Sequence, residues 1–487
     1  MTDQHPFDPT LESVGAMGAD VARWIAEHFA ALHTMPVVPT ITPAESFALF
    51  DEPVPEEGTP WPALLERFKR DVVANSFHLP SPRYFGLMNP TPLPIAVFAE
   101  AMGAALNQNV AAWHHSPAAT AVEAQVIRWL CAVCGLPVGA FGSLTAGGTP
   151  ANTTGLKIAL NEKVPEVKEK GLFGLKERPV LYASAEAHFS IDKSANIMGL
   201  GTKEGFRRIP VDENSRADVA ALRAMIAADL KAGLRPFCVV GVAGVTSNGV
   251  IDPLDALADV AAEHGLWFHV DAAYGAGGLL SDALRPRYAG IERADSVTVD
   301  PHKWWYLPYP CGAILTRDGA AGERTFQAGD VYIPSTGRSV EFRHHGMIGS
   351  RAFNALKLWL AMLYIGRKAY GRMADEQVAL TQRFVDELTS DGQWEAVTPV
   401  DTAIAAVRYV GYGAKSGERR AKGDGPGAPD IQDRIVARVL ESRRHWISPT
   451  TTVGKRAIRV MVISYLTRWQ HLEELIRALR EGARAEE

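Results

Sequence analysis

Between about residues 100 and 370, short strand-like runs alternate with helical stretches, and this alternation restricts the fold more than any other feature of the chain. Residues 179–183, 237–242, 266–270 and 296–299 are the clearest strands, and residues 256–264 are a clear helix between two of them. That order predicts an α/β layer structure with a mostly parallel sheet. Ligands of such sheets sit at the carboxyl ends of the strands. Asp271 and Lys303 both fall at such ends.

At 487 residues the chain is too long for one ordinary core. Residues 11–33 and 61–77 repeat apolar positions at helical spacing, with an acidic, proline-rich stretch between them. Two short amphipathic helices enclose no core, so they are expected to pack on the large unit or on a partner subunit. After residue 370 a helix at 374–389 leads into a smaller unit with a strand-like run at 403–409, a helix at 431–442 and a strand at 457–464. Residues 412–429, rich in glycine and charge, read as a solvated loop without chemistry. The expected division is an N-terminal helical segment (1–99), a large unit (100–370) and a small α+β unit (371–487).

A hydrophobic content of 47% with 22% charged residues is that of a soluble globular protein. A net charge of -5 argues against nucleic acid as a partner, which needs a clustered basic face. No run approaches the roughly 18 apolar residues that span a bilayer, so no membrane partner is expected. The amino terminus has neither the basic nor the apolar region of a signal peptide. Cys131 and Cys134 spell C-x-x-C, but no second pair or ligand-spaced histidine accompanies them. They read as buried thiols near the end of a helix, and neither a metal site nor a disulfide framework is expected. The expected location is the cytoplasm.

Lys303 carries the chemistry. It follows the run 296–299 in Ser-Val-Thr-Val-Asp-Pro-His-Lys-Trp-Trp. An amine held in a desolvated pocket is partly free base and condenses with an aldehyde. Asp271 closes an earlier run in Leu-Trp-Phe-His-Val-Asp-Ala-Ala-Tyr-Gly. A strand-end lysine and a strand-end acid are what pyridoxal 5'-phosphate requires: covalent attachment, and a partner for the ring nitrogen.

From about residue 82 to residue 467 the chain resembles the group II pyridoxal-phosphate-dependent amino-acid decarboxylases, the family of aromatic-L-amino-acid and glutamate decarboxylases. The resemblance implies the fold type I architecture of pyridoxal-phosphate-dependent transferases. It assigns cofactor attachment to Lys303, the ring-nitrogen partner to Asp271, and a flat contact against the ring to Ala273. His188, in Ser-Ala-Glu-Ala-His-Phe-Ser, matches the histidine that stacks on the ring. Gly147, Gly148 and Thr149, in Thr-Ala-Gly-Gly-Thr-Pro-Ala-Asn, match the phosphate cradle, where a helix N-terminus favours an anion. Thr246 falls near the phenolic oxygen, and His302 flanks the lysine. Asp300 stands where relatives commonly carry asparagine, and an acid there would repel a phosphate.

Tyr332 matches a mobile-loop tyrosine that delivers a proton to Cα, which favours amine over aldehyde. Tyr84, Phe85, Trp113 and His114 match segments lining the substrate pocket, some of them from the other subunit. Arg459 matches an arginine suited to a substrate carboxylate by its fork. The implied protein is a homodimer, with its active site at the subunit interface, that converts an aromatic L-amino acid to its amine and carbon dioxide. Glutamate or 2,4-diaminobutyrate as substrate, aldehyde synthesis, transamination and a scaffold without catalysis are the alternatives.

Overall fold

The computed structural model describes residues 9–327, 340–411 and 429–486. Seven strands form the large sheet: β1 (Phe141–Thr145), β2 (Pro179–Ser184), β3 (Phe206–Ile209), β4 (Arg235–Val242), β5 (Trp267–Asp271), β6 (Ser296–Val299) and β7 (Gly312–Thr316). Their order is β1-β7-β6-β5-β4-β2-β3. The run from β6 to β3 is parallel throughout, and β7 lies antiparallel to both β6 and β1. Two antiparallel steps restore the direction, so β1 ends on the same side of the sheet as β2, β4, β5 and β6. Four strands and the helix expected from the sequence are therefore present, at nearly the expected bounds.

Strand β5 is buried along its whole length, and so are β2, β6 and β7. Their near-continuous apolar runs follow from helices covering both faces of the sheet. A second sheet, ordered β10-β11-β9-β8, is antiparallel throughout: β8 (Trp394–Ala396), β9 (Ile404–Tyr409), β10 (Ser448–Thr452) and β11 (Lys455–Met461). The helices Ile431–Glu441 and Trp469–Ala485 contribute apolar faces to the core beneath it. The helix expected at 374–389 begins earlier, as Arg367–Thr389, directly after Gly366 at φ +76° breaks it from Ala355–Ile365.

Of the two N-terminal helices expected, the first forms and the second does so only in part. The helix Leu11–Ala31 has no buried residue. The second helix is broken: α-helix over Trp61–Arg67, a π-turn at Phe68–Val72 and a 3₁₀ turn at Val73–Asn75. Cys131 and Cys134 lie at and just beyond the end of the helix Pro117–Val133, and all four cysteines are free and buried.

Candidate active site

Five strand ends converge on one cavity of about 700 Å³, within the range of small-molecule sites. Asp271 is the last residue of β5, and Lys303 lies in the turn after β6. His188 follows β2, Thr246 follows β4, and Gly147 follows β1 and leads into the helix Gly148–Lys163. Lys303, Asp271, Ala273, His188, Thr246, Gly147, Gly148, Thr149, His302 and Arg459 all line this cavity.

The lysine is held from behind by aromatic packing. Trp304, Trp305 and Tyr306 are fully buried, and the Trp304 ring stacks on Tyr274 at 5.1 Å. Gln377, on the helix Arg367–Thr389, accepts hydrogen bonds from Trp304 Nε1 and Tyr306 Oη. Lys303 itself stays 19% exposed, with Nζ 3.1 Å from Asp300 Oδ2.

Asp300 is the unexpected member of the group. Its Oδ2 accepts the Gly148 N–H at 2.8 Å, so one donor of the expected phosphate cradle is already taken. Its Oδ1 is buried without a hydrogen-bond partner. Burial pushes this carboxyl up to about 6, against the pull of Lys303. His302 packs beside it, with Nδ1 accepting the Cys311 N–H at 3.0 Å and the ring 4.1 Å from that of Tyr309. Burial, then the charge of Lys303, hold that imidazole down at about 3, so it is neutral.

Asp271 accepts from Asn152 Nδ2 at 2.8 Å and from the Ala273 N–H at 3.1 Å. Each oxygen keeps a free lone pair for a ligand. His188 Nδ1 lies 2.9 Å from Ser190 Oγ and accepts the Ser190 N–H at 3.2 Å. Burial lowers the pKa of His188, opposed by Asp271. Arg459 is 92% withdrawn from solvent, being 8% exposed. It donates to Ser448 Oγ and to the Thr246 carbonyl at 2.9 Å. These partners are neutral oxygens, and among the described residues no carboxylate lies within ion-pair distance of it. A buried guanidinium with only neutral partners at a cavity wall is a ready site for an anionic group.

The expected substrate residues are placed differently. Tyr84 and Phe85 do not line the cavity. Phe85 is fully buried in the core beneath the second sheet, with its N–H bonded to Trp446 O and its carbonyl to Met461 N. Tyr84 stacks on Trp446 at 5.0 Å and donates to Asn89 Oδ1. The wall is instead built by Leu87, Met88 and Asn89, with Tyr309 donating to the Met88 carbonyl and accepting from Asn89 Nδ2. Trp113, 43% exposed, and His114 sit in a single 3₁₀ turn away from this chain's cavity. Tyr332 lies outside the described residues. Sequence reading also missed Asn152 and Glu186. Glu186 accepts from Ser247 Oγ and the Val453 N–H, joining the large sheet's loops to the β10–β11 turn.

The chain matches the family model described as the pyridoxal-dependent decarboxylase conserved domain over residues 43–410. It belongs to the pyridoxal-dependent decarboxylase family. An aromatic-L-amino-acid decarboxylase of Bacillus atrophaeus is 30% identical over 479 residues, covering 97% of this chain and 96% of the relative. An L-2,4-diaminobutyrate decarboxylase of Rhizobium meliloti (strain 1021) is 33% identical over 363 residues, covering 74% of this chain and 71% of that one. The solved structure of Oryza sativa TDC with PLP and tryptamine shares the fold, with a TM-score of 0.91 at 24% identity and 99% of each chain covered.

The protein is thus a pyridoxal-phosphate-dependent carboxy-lyase. The cavity fits that cofactor on its own chemistry. It offers a partly exposed primary amine, a carboxylate with lone pairs to spare, and a helix N-terminus, all lining the same cavity. Among the described residues no group of three or more His, Cys, Asp or Glu is placed to hold a metal ion. No helix among them is long and apolar enough to cross a membrane.

Proposed function

We propose that this enzyme removes the α-carboxylate of an aromatic L-amino acid, giving the amine and carbon dioxide. The observation that carries the substrate side is Arg459, buried at the wall of the Lys303–Asp271 cavity with only neutral partners. An amino-acid carboxylate would supply the missing counter-charge.

Lys303 would hold pyridoxal phosphate covalently, Asp271 its ring nitrogen, and Gly147, Gly148 and Thr149 its phosphate, with Ala273, His188, Thr246 and His302 around the ring. When bound, the cofactor supplies the conjugated ring that takes up the electron pair left by carbon dioxide. The chain's own groups do the orienting. Arg459 sets the direction of the carboxylate, and His188 covers one side of the site. Lys303 Nζ, 3.1 Å from Asp300 Oδ2, would be placed to exchange a proton with that carboxyl. Tyr332, outside the described residues, is assigned delivery of the proton to Cα.

A second reading is favoured by the polar edge of the wall. Asn89, Glu186 and Tyr309 line the cavity where an all-aromatic wall was expected. Glu186 would suit a substrate with a second ammonium group, such as 2,4-diaminobutyrate.

For the division into residues 1–99, 100–370 and 371–487, the boundary near 370 is supported by a separate apolar core at the small sheet, drawn from residues 384–483 and Phe85. A homodimer with its site at the interface is supported by the helix Leu11–Ala31, which has no fully buried residue and leaves Leu11, Val14, Met17 and Val21 exposed. A cytoplasmic location is supported by the four free, buried thiols.

The test is purified protein with added pyridoxal phosphate against a panel of amino acids, with amine, aldehyde and ammonia scored by mass spectrometry. Amine from tryptophan, tyrosine, phenylalanine or dihydroxyphenylalanine is the expected result. Amine from diaminobutyrate or glutamate alone would discard the aromatic pocket and keep the reaction. Lys303→Ala should abolish turnover, and undiminished activity would remove Lys303 from its role.

A further inference from the structure

Behind the cavity wall, seven polar groups form one continuous hydrogen-bonded chain. Trp267 Nε1 donates to Ser296 Oγ at 2.7 Å, and Ser296 Oγ lies 2.8 Å from His269 Nδ1. His269 Nε2 lies 3.1 Å from Asn152 Oδ1. Asn152 Nδ2 reaches both Asp271 Oδ2, at 2.8 Å, and Ser190 Oγ, at 2.9 Å. Ser190 in turn meets His188 Nδ1. Every member but His188 is buried.

Only one direction of donation satisfies all these contacts. An indole N–H can only donate, so Ser296 Oγ accepts from Trp267, and its own proton remains available to His269 Nδ1. From the other end, an ionised Asp271 can only accept, which turns the Asn152 amide so that Nδ2 faces the acid. Asn152 Oδ1 is thereby presented to His269 Nε2, so the neutral ring carries its proton there and Nδ1 accepts from Ser296. The second N–H of Asn152 goes to Ser190 Oγ, which leaves the serine proton for His188 Nδ1. The Ser190 backbone N–H points at the same nitrogen. His188 Nδ1 is therefore an acceptor, and the proton of the neutral ring sits on Nε2.

We propose that Asn152 is a positioning residue whose single amide ties Asp271 to His188, holding the acid as a pure acceptor toward the cofactor's ring nitrogen and the histidine in its Nε2–H form. The proposal deepens the cofactor reading and rests on Asp271 and His188 serving pyridoxal phosphate. Without the Asn152 donor, Asp271 keeps only the Ala273 N–H, and its hold on a ring N–H weakens. His188 would lose the aligned Ser190 hydroxyl. The residue lies one turn inside the helix Gly148–Lys163 and makes no contact with solvent, so its role is invisible in a motif of small residues.

The first measurement needs no cofactor. In apoenzyme labelled with [¹⁵N]histidine at pH 7.5, the ring signals of His188 and His269 are assigned by their loss in His188→Gln and His269→Gln. Both rings should show a bare Nδ1 and a protonated Nε2. A proton on Nδ1 of either ring overturns the relay, whatever reaction the enzyme performs. The second measurement loads wild-type and Asn152→Leu protein with ring-¹⁵N pyridoxal phosphate. The wild-type ring nitrogen should be protonated, and that of Asn152→Leu should shift toward the unprotonated form, with the dissociation constant raised at least tenfold. An unchanged nitrogen signal and affinity in Asn152→Leu would reduce Asn152 to a packing residue. Failure of the protein to bind pyridoxal phosphate at all would instead strike the cofactor reading and leave the tautomer result standing.

Discussion

Asp300 is where residue-level physics gives the sharpest expectation. It is 1% exposed, with one oxygen unpartnered and the other shared between Lys303 and the Gly148 N–H. Burial raises its carboxyl to about 6 from 3.8. The folded protein thus holds this proton more tightly than the unfolded chain does. The contribution to stability is complete below about pH 4 and is lost as pH rises through about 6. By linkage the loss is about 3 kcal/mol at most. Asp300→Asn, which keeps an acceptor for Gly148 N–H, should raise the melting temperature of the apoenzyme at pH 8 and not at pH 4. Equal gains at both pH values would mean that the charge is not what costs stability. A second residue-level expectation concerns Tyr332: in Tyr332→Phe the product should move from amine toward aldehyde and ammonia. An unchanged amine yield would take the proton-delivery role away from this tyrosine.

At the scale of elements, glycines separate crowded positions from open ones. Gly147 joins β1 to the helix Gly148–Lys163 at φ +149°, and a Cβ there would meet His302 Cε1 at 3.0 Å. Gly147→Ala combines backbone strain with displacement of the imidazole, a cost of about 1–3 kcal/mol. Its melting temperature and its affinity for pyridoxal phosphate should both fall. Gly18, inside the helix Leu11–Ala31, has nothing within 4 Å of its missing Cβ. Gly18→Ala should stabilise that helix by about 0.5–1 kcal/mol and leave cofactor affinity unchanged. Thermal melts of the two variants beside cofactor titrations check both expectations. A similar loss of affinity in both would show that the cradle is not special.

For the whole molecule, the open question is the apolar surface a single chain leaves uncovered. Leu11, Val14, Met17 and Val21 are exposed along one helix, and Phe98, Met102 and Leu106 along Pro94–Leu106. Stripes at this spacing normally face a core or a partner. Sedimentation at micromolar concentration should give twice the chain mass of 52.8 kDa. The triple variant Leu11→Glu, Val14→Glu, Val21→Glu should lower that mass toward one chain. A monomer in the unaltered protein would leave Trp113 and His114 without a cavity to join.

Much of the site was legible because each strand that carries it ends in chemistry. Asp271, Lys303, His188 and Thr246 all stand at or after the ends of strand runs that the sequence shows, and a parallel sheet delivers such ends to one side. Local pattern was a poorer guide where the chain is extended between the two cores. In that segment Tyr84 and Phe85 look like a pocket wall, but Phe85 is bonded to Trp446 on one side and to Met461 of β11 on the other, and its side chain is buried in the small unit's core. Leu87–Asn89 reach the cavity instead. The sequence by itself determined the layer order, the cofactor chemistry and the strand-end residues, since those depend on runs and neighbours along the chain. Only the tertiary structure decided that Asn152 bridges Asp271 and His188, that Asp300 occupies the Gly148 N–H, and that Arg459 has only neutral partners. Those facts are contacts between residues distant in sequence, where direction and burial matter and residue type alone carries no signal.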